Sequence, residues 1–273
     1  AASSSAGGQT WSPVFGGRSI GIGTIVIALV GGWVLGINPL TILGLLSGGG
    51  PAPQVQTQPH TPAHRPPADD TMARFVSTVL ADTEDVWGEL FRQGGGRYQD
   101  PRLVLFRGAT PTACGTGQAA MGPFYCPLDQ KVYIDLSFYE EMRRKFNVAG
   151  DFAQAYVVAH EVGHHGQNLI GATSIKPAGE SKNQVSVRVE LQADCLAGIW
   201  GHSARASLKI DDADLKEAVT AAHAIGDDAL GHSNASDYTH GSSAQRIRWF
   251  RRGFDSGDPR QCDTFGVSKY ADL

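Results

Sequence analysis

The chain has 273 residues, of which 41% are hydrophobic, and its formal net charge at pH 7 is −4. This length suffices for one sizeable domain with additional segments, and the hydrophobic fraction suffices for a buried core. The weak negative charge, without a basic stripe that alternates with aromatic residues, argues against nucleic acid as a partner.

The first quarter of the chain differs from the rest in charge. Arg18 and Arg65 are the only charged residues before Asp69, and residues 20–46 are uncharged and rich in Ile, Val, Leu and Gly. A helix needs about 20 apolar residues to cross a bilayer, so residues 20–46 predict a transmembrane anchor. A cleaved secretory signal is one alternative, but its apolar region usually has only about 7–15 residues. A buried core helix is the other, but a Gly-rich apolar stretch without a polar face argues against it. Arg18 favours an N-terminus on the inner side.

A linker is expected to follow the anchor. Residues 47–70 are rich in Gly, Pro and Gln, a composition that favours a semi-extended spacer over a packed structure. We therefore divide the chain into a short tail (1–19), an anchor (20–46), a linker (47–70) and a globular domain (71–273).

The globular domain is predicted to be α+β and mainly helical, with a small sheet before the central helix. Apolar residues at three- and four-residue spacing indicate the helices, and short β-rich runs bounded by turn residues indicate the strands. The predicted helices cover residues 71–93, 138–146, 152–170, 181–200, 211–230 and 243–254, and the predicted strands cover 103–106, 122–125 and 131–134.

The four cysteines form no Cys-x-x-Cys pair, which argues against a zinc knuckle or a redox motif. Of the three possible connectivities we favour Cys114–Cys126 with Cys195–Cys262; buried free thiols are the alternative. An even number of cysteines beyond a membrane anchor favours an oxidising compartment. We therefore expect a single-pass membrane protein with an extracytoplasmic globular domain.

The central helix carries a His-Glu-x-x-His motif, from His160 to His164. Residues four apart share a helical face, so the two imidazoles can bind one zinc ion while Glu161 acts as a general base. The surrounding sequence is apolar, where two histidines and an acid are costly unless they are paired or bound to a metal. The alternative is a hydrogen-bonded structural histidine cluster.

A third ligand must come from elsewhere. A metzincin would require Gly and His where this chain has Gln167 and Ile170, so that class is excluded. Glu190 and Asp194 lie four apart on the next predicted helix. We assign Glu190 to the metal and Asp194 to a histidine N–H; a solvated acidic face is the alternative. His165 points about 100° away from His164 and is expected to be a neighbour rather than a ligand.

A peptidase also needs a residue that stabilises the oxyanion and a surface that binds the substrate. His240 is the first candidate to stabilise the oxyanion and Tyr238 the second, although both could lie in an ordinary polar loop. The strand Lys131–Ile134, or the preceding Phe124–Tyr125, could bind an extended peptide by strand addition.

Several stretches carry a resemblance to a known family. HEVGHHGQNLIG followed by VELQADCLAGIW is similar to the gluzincin pattern, in which HExxH precedes ExxxD. Together with GPFYCPLDQKVYIDLSF, GDFAQAYVVAHE and THGSSAQRIRWFRRGF, they resemble the bacterial "putative neutral zinc metallopeptidase" family. The resemblance implies a zincin-like fold, a single zinc ion with His160, His164 and Glu190 as ligands, and Glu161 as catalytic acid and base.

The sequence thus predicts a membrane-anchored zinc peptidase that acts on peptides or proteins. Two alternatives remain at this point. One is a non-catalytic, zinc-stabilised scaffold or interaction module of the cell envelope, and the other is a zinc hydrolase of non-peptide amides.

Overall fold

The computed structural model describes residues 70–118, 122–146 and 150–273. This part of the chain is mainly helical, with a small sheet before the central helices, as predicted. Its elements in chain order are α1 (Thr71–Gln93), β1 (Arg102–Phe106), β2 (Ala109–Thr112), β3 (Gly115–Gln118), β4 (Phe124–Cys126), β5 (Lys131–Asp135), α2 (Phe138–Phe146), α3 (Asp151–Leu169), α4 (Lys182–Ala204), α5 (Asp212–Ala224) and α6 (Ser243–Ser256).

Helix α1 forms as its sequence predicts. The Asp70 carboxylate accepts a hydrogen bond of 3.0 Å from the Ala73 N–H, which caps the first turn. Its apolar residues at helical spacing, among them Val76, Val79 and Trp87, are buried against the rest of the domain.

The sheet has the strand order β1-β5-β4. Strand β1 runs parallel to β5, and β4 pairs antiparallel to its other edge. Because both edges of β5 are occupied, the expectation that Lys131–Ile134 binds a peptide by strand addition is wrong. Strand β4 lies at the edge of the sheet, so Phe124 and Tyr125 keep that possibility.

Close helix contacts hold the centre of the domain together. A Cβ atom on Gly163 of α3 would lie 3.0 Å from the Ala193 carbonyl oxygen of α4. A Cβ atom on Gly198 of α4 would meet the Phe250 carbonyl of α6, and one on Gly253 of α6 would meet that of Cys195. The three helices therefore approach each other at backbone distance, which brings their polar side chains within reach.

Both favoured disulfides are present, Cys114–Cys126 and Cys195–Cys262. The first ties the turn between β2 and β3 to β4. The second ties α4 to a short 3₁₀ helix, Pro259–Cys262, near the C-terminal end.

Two helix ends and one hairpin differ clearly from the sequence prediction. The helix predicted over 211–230 ends at Ala224, and the chain then passes so close to Ser243, at the start of α6, that Gly226 has no room for a Cβ atom. Helix α4 continues to Ala204, beyond the predicted residue 200. The antiparallel hairpin of β2 and β3 was not predicted, because its residues, such as Pro111 and Gly117, have low strand propensity.

The predicted tail (1–19), the anchor (20–46) and all but the last residue of the linker (47–70) lie outside the described residues. Among the residues that are described, no helix is long and apolar enough to cross a membrane.

Candidate metal centre

Helix α3 places its two motif histidines side by side. The rings of His160 and His164 are 4.7 Å apart between centroids, as expected for residues one helical turn apart. Both rings are largely enclosed, with side chains 7% and 16% exposed. Their Nε2 atoms face the same neighbour on α4.

That neighbour is Glu190. Its Oε2 lies 3.2 Å from His160 Nε2 and its Oε1 lies 3.5 Å from His164 Nε2. The candidate ligand atoms of the three residues all lie within 4.8 Å of one another. The helix contact at Gly163 explains this convergence, since it brings α4 against the face of α3 that carries the histidines.

The outer nitrogen of each histidine also has a partner. His160 Nδ1 lies 2.9 Å from Asp194 Oδ1, and His164 Nδ1 lies 2.8 Å from Gln167 Oε1. Oxygens in these positions accept a hydrogen from Nδ1 and leave the lone pair of Nε2 for a metal. Two such imidazoles with one carboxylate are the donor set that zinc prefers when one coordination position stays open. The residues therefore fit a zinc ion.

Asp194 is the centre of a buried hydrogen-bond network. Arg246 of α6 donates to both of its carboxylate oxygens, from Nε and Nη2, at 2.9 Å each. The Tyr156 hydroxyl donates to Oδ1 at 2.5 Å. Asp194 is fully buried and the Arg246 side chain is 2% exposed, so the two form an ion pair away from water.

The sequence prediction missed Arg246 and Tyr156. A signal for Arg246 was present, because it lies three and four residues before Trp249 and Phe250 on the apolar face of α6. A charged residue on the buried face of a helix requires a buried partner. Tyr156 precedes His160 by one turn, but its sequence does not distinguish it from an ordinary core tyrosine.

Without a metal, the electrostatics of the cluster favour an ionised Glu190 and a protonated His160. Burial alone raises the pKa of Glu190, but the charge of His164 and the hydrogen bond from His160 hold it well below its usual range. Burial lowers the pKa of His160, but the charge and hydrogen bond of Asp194 outweigh burial and raise it to about 10. Because zinc binds the neutral imidazole, a proton competes with zinc for His160.

Glu161 lies in the same turn of α3 and is 7% exposed. Burial raises its pKa, which the charges of His164 and His160 only partly oppose. A carboxylate whose pKa lies above its ordinary value is a stronger base when ionised.

His240 lies in the loop before α6, and the buried Asp227 carboxylate organises that loop. Asp227 Oδ2 accepts the N–H groups of Thr239, His240 and Gly241 at 2.7–2.9 Å, and Oδ1 lies 3.3 Å from His240 Nδ1. A Cβ atom on Gly241 would lie 3.2 Å from Leu191, the residue after Glu190, so the loop packs beside the candidate ligand. Burial lowers the pKa of His240, but the Asp227 hydrogen bond and the Glu190 charge raise it overall.

The other histidines near the motif have different partners. His165 Nε2 lies 2.6 Å from the Gln99 carbonyl, and its Nδ1 lies 3.0 Å from the Tyr125 hydroxyl. His165 therefore points away from the cluster, as expected. His202 Nδ1 lies 2.7 Å from the Phe254 carbonyl.

Comparisons with known proteins show the family of this chain. Residues 1–265 match the family described as "Putative neutral zinc metallopeptidase", and the chain belongs to that family. It is 48% identical over 262 residues to "Uncharacterized protein YpfJ" of Escherichia coli (strain K12), which covers 91% of this chain and 87% of that protein. It is 38% identical over 212 residues to "Uncharacterized protein Rv2575" of Mycobacterium tuberculosis (strain ATCC 25618 / H37Rv), covering 71% and 72%. No solved structure matches the chain.

Proposed function

We propose that this protein is a zinc-dependent peptidase that uses Glu161 as its general base. The observation that carries the proposal is the convergence of His160 Nε2, His164 Nε2 and the Glu190 carboxylate. Membership of a zinc metallopeptidase family supports the same reaction class.

His160, His164 and Glu190 would hold the zinc ion, with Asp194 and Gln167 fixing the two rings. Zinc with three protein ligands lowers the pKa of a bound water to about 7 and polarises a carbonyl group. Glu161, enclosed beside these ligands, takes the proton from the attacking water and delivers it to the leaving amine.

His240 is our proposed donor to the oxyanion. Asp227 holds its Nδ1, which leaves Nε2 as the ring nitrogen for another partner. Its raised pKa favours the protonated ring, which can donate to a developing negative charge. Its side chain is 25% exposed, so a substrate can reach it. Tyr238, the second candidate, precedes His240 by two residues and is likewise only partly buried.

Extended peptides are the proposed substrates, and β4 is the proposed docking edge. Its Tyr125 hydroxyl contacts His165 and Asn168 on α3, so the edge strand lies against the helix that carries the motif. A peptide added to this edge would run beside the zinc helix.

An extracytoplasmic location is part of the proposal. Two disulfides in a chain of this size are typical of an oxidising compartment. The anchor proposed for residues 20–46 would hold the domain at the membrane surface.

If the protein were a scaffold, we would expect a closed zinc site with four protein ligands. In the described part of the chain, three residues with suitable donor atoms come together, which favours the open, catalytic arrangement.

The test compares Glu161→Gln with Glu89→Gln, a matched change on the exposed face of α1. Both variants and the wild type are assayed for zinc content and for hydrolysis of labelled casein and a mixed peptide library. We expect Glu161→Gln to retain one zinc ion and to lose hydrolysis by a factor of at least about 100, while Glu89→Gln behaves as wild type.

Two results would contradict the proposal. Wild-type activity in Glu161→Gln removes this residue as the base. A zinc-loaded wild type that hydrolyses none of the peptides contradicts the peptidase and favours the scaffold or the hydrolase of non-peptide amides.

A further inference from the structure

Two buried glutamines connect His164 to the C-terminal segment. Gln167 accepts from His164 Nδ1 at 2.8 Å, and its own Nε2 donates to Gln192 Oε1 at 3.0 Å. Gln192 Nε2 in turn donates to the Cys262 carbonyl at 3.0 Å. Gln167 is fully buried and Gln192 is 7% exposed, so water cannot readily replace these partners.

The direction of each hydrogen bond in this chain is fixed. A backbone carbonyl can only accept, so Gln192 must turn its NH₂ group to Cys262 and its oxygen to Gln167. The Val189 carbonyl, 2.7 Å from Gln167 Nε2, imposes the same orientation on Gln167. The Gln167 oxygen therefore faces His164, whose Nδ1 must carry the hydrogen while Nε2 keeps its lone pair.

We infer that the segment around Cys262, held by the Cys195–Cys262 disulfide, positions His164 for the metal through Gln192 and Gln167. The inference rests on the proposed function, since it requires His164 to be a metal ligand. It makes Gln167 and Gln192 positioning residues and gives the disulfide a role at the site.

The same disulfide also lies behind the other histidine. Cys195 follows Asp194, whose carboxylate holds His160 Nδ1. A single crosslink therefore connects the supports of both rings, although Cys195 and Cys262 are 67 residues apart.

A second contact anchors the segment beyond the crosslink. The Thr264 hydroxyl donates to the Arg188 carbonyl at 2.8 Å, and the Arg188 guanidinium donates back to the Thr264 carbonyl. Loss of the disulfide should therefore loosen the segment rather than release it.

The experiment measures zinc affinity by competition with a chromogenic chelator, and the ligand geometry from the visible spectrum of the cobalt(II)-substituted protein. Gln192→Leu removes both hydrogen bonds of the side-chain amide, to Gln167 and to Cys262. Its matched control is Gln154→Leu, because Gln154 is a buried glutamine of α3 whose side-chain oxygen has no partner among the described residues. We expect Gln192→Leu to weaken zinc binding about 10-fold and to shift the cobalt bands, and Gln154→Leu to change neither.

The disulfide is tested in the same way. Cys195→Ala with Cys262→Ala should weaken zinc binding and alter the cobalt spectrum. Cys114→Ala with Cys126→Ala, which removes the disulfide of the hairpin, should leave both as in the wild type. Circular dichroism checks whether each variant is folded. If either Gln192→Leu or the Cys195/Cys262 double variant does not fold, the zinc affinity and cobalt spectrum of the other test the inference.

Wild-type zinc affinity and an unchanged cobalt spectrum in the folded test variants would overturn the inference. A wild type that binds no stoichiometric zinc would instead overturn the proposed function, so the two failures are distinguishable.

Discussion

Replacing Asp194 by Asn should lower both the stability of the domain and its zinc affinity. Three donors converge on Oδ1, from Tyr156, His160 and Arg246, while Arg246 Nε alone binds Oδ2. An asparagine that keeps its oxygen in the Oδ1 position therefore loses one hydrogen bond and the negative charge. The guanidinium of Arg246 then stays buried without a counter-ion.

The expected cost follows from this geometry. Removing one partner of a buried ion pair destabilises a protein by about 3–5 kcal/mol, a large part of the roughly 5–15 kcal/mol that holds a domain folded. The His160 ring keeps an acceptor, but a weaker one, so zinc affinity should fall by about 10- to 100-fold. Urea denaturation in the presence of a chelator measures the first effect, and chelator competition measures the second.

Two further variants test whether the buried ion pair stabilises the domain. Asp212→Asn removes a 96% exposed carboxylate 3.7 Å from Arg205 and should cost less than about 1 kcal/mol. Asp194→Asn combined with Arg246→Met removes the unpaired charge, so it should recover stability but not zinc affinity. If Asp194→Asn unfolds at the same urea concentration as Asp212→Asn, the buried ion pair does not stabilise the domain and the reasoning fails.

Two other predictions concern helix packing and pH. Gly253→Ala should destabilise the domain by about 1–3 kcal/mol in urea denaturation because its methyl group collides with the Cys195 carbonyl, whereas Gly166→Ala, with open space around its Cβ, should stabilise it by up to about 1 kcal/mol. A loss of stability in both variants would contradict the helix contact. His160 binds its proton more tightly in the folded chain, so its contribution to the stability of the chelated protein is complete below pH 6.5 and is lost as the pH rises through about 10. Thermal unfolding of the chelated wild type and of His160→Gln across this range measures the contribution, and equal pH dependence in the two would refute it.

The sequence predicted the parts of the site that depend on local periodicity. His160 and His164 share a face because they are four apart on one helix, and Glu190 and Asp194 do so for the same reason. The disulfide pairing was also favoured correctly, since one bridge closes a short loop and the other joins α4 to the C-terminal tail.

The partners that come from distant parts of the chain could not be predicted from the sequence. Arg246 meets Asp194 across 52 residues, and Gln192 meets Cys262 across 70. Such contacts depend on how α4 packs against α6 and the 3₁₀ helix that follows it, which the sequence of α4 alone does not determine. The end of α5 was misplaced for a related reason, because Asp227 leaves the helix to bind the loop of His240.

The glycines show how tertiary contact changes the interpretation of a local signal. Low helix propensity makes any glycine inside a helix unfavourable, and Gly166 of α3 has open space where a Cβ atom would lie. Gly163, Gly198 and Gly253 have the same propensity, yet each allows a helix to approach the carbonyl of another. A side chain at Gly163 would push Ala193 away and with it the neighbouring Glu190 and Asp194. The glycine within the HEVGH motif therefore sets the distance between the two helices that supply the ligands, a role that becomes visible only when both helices are in place.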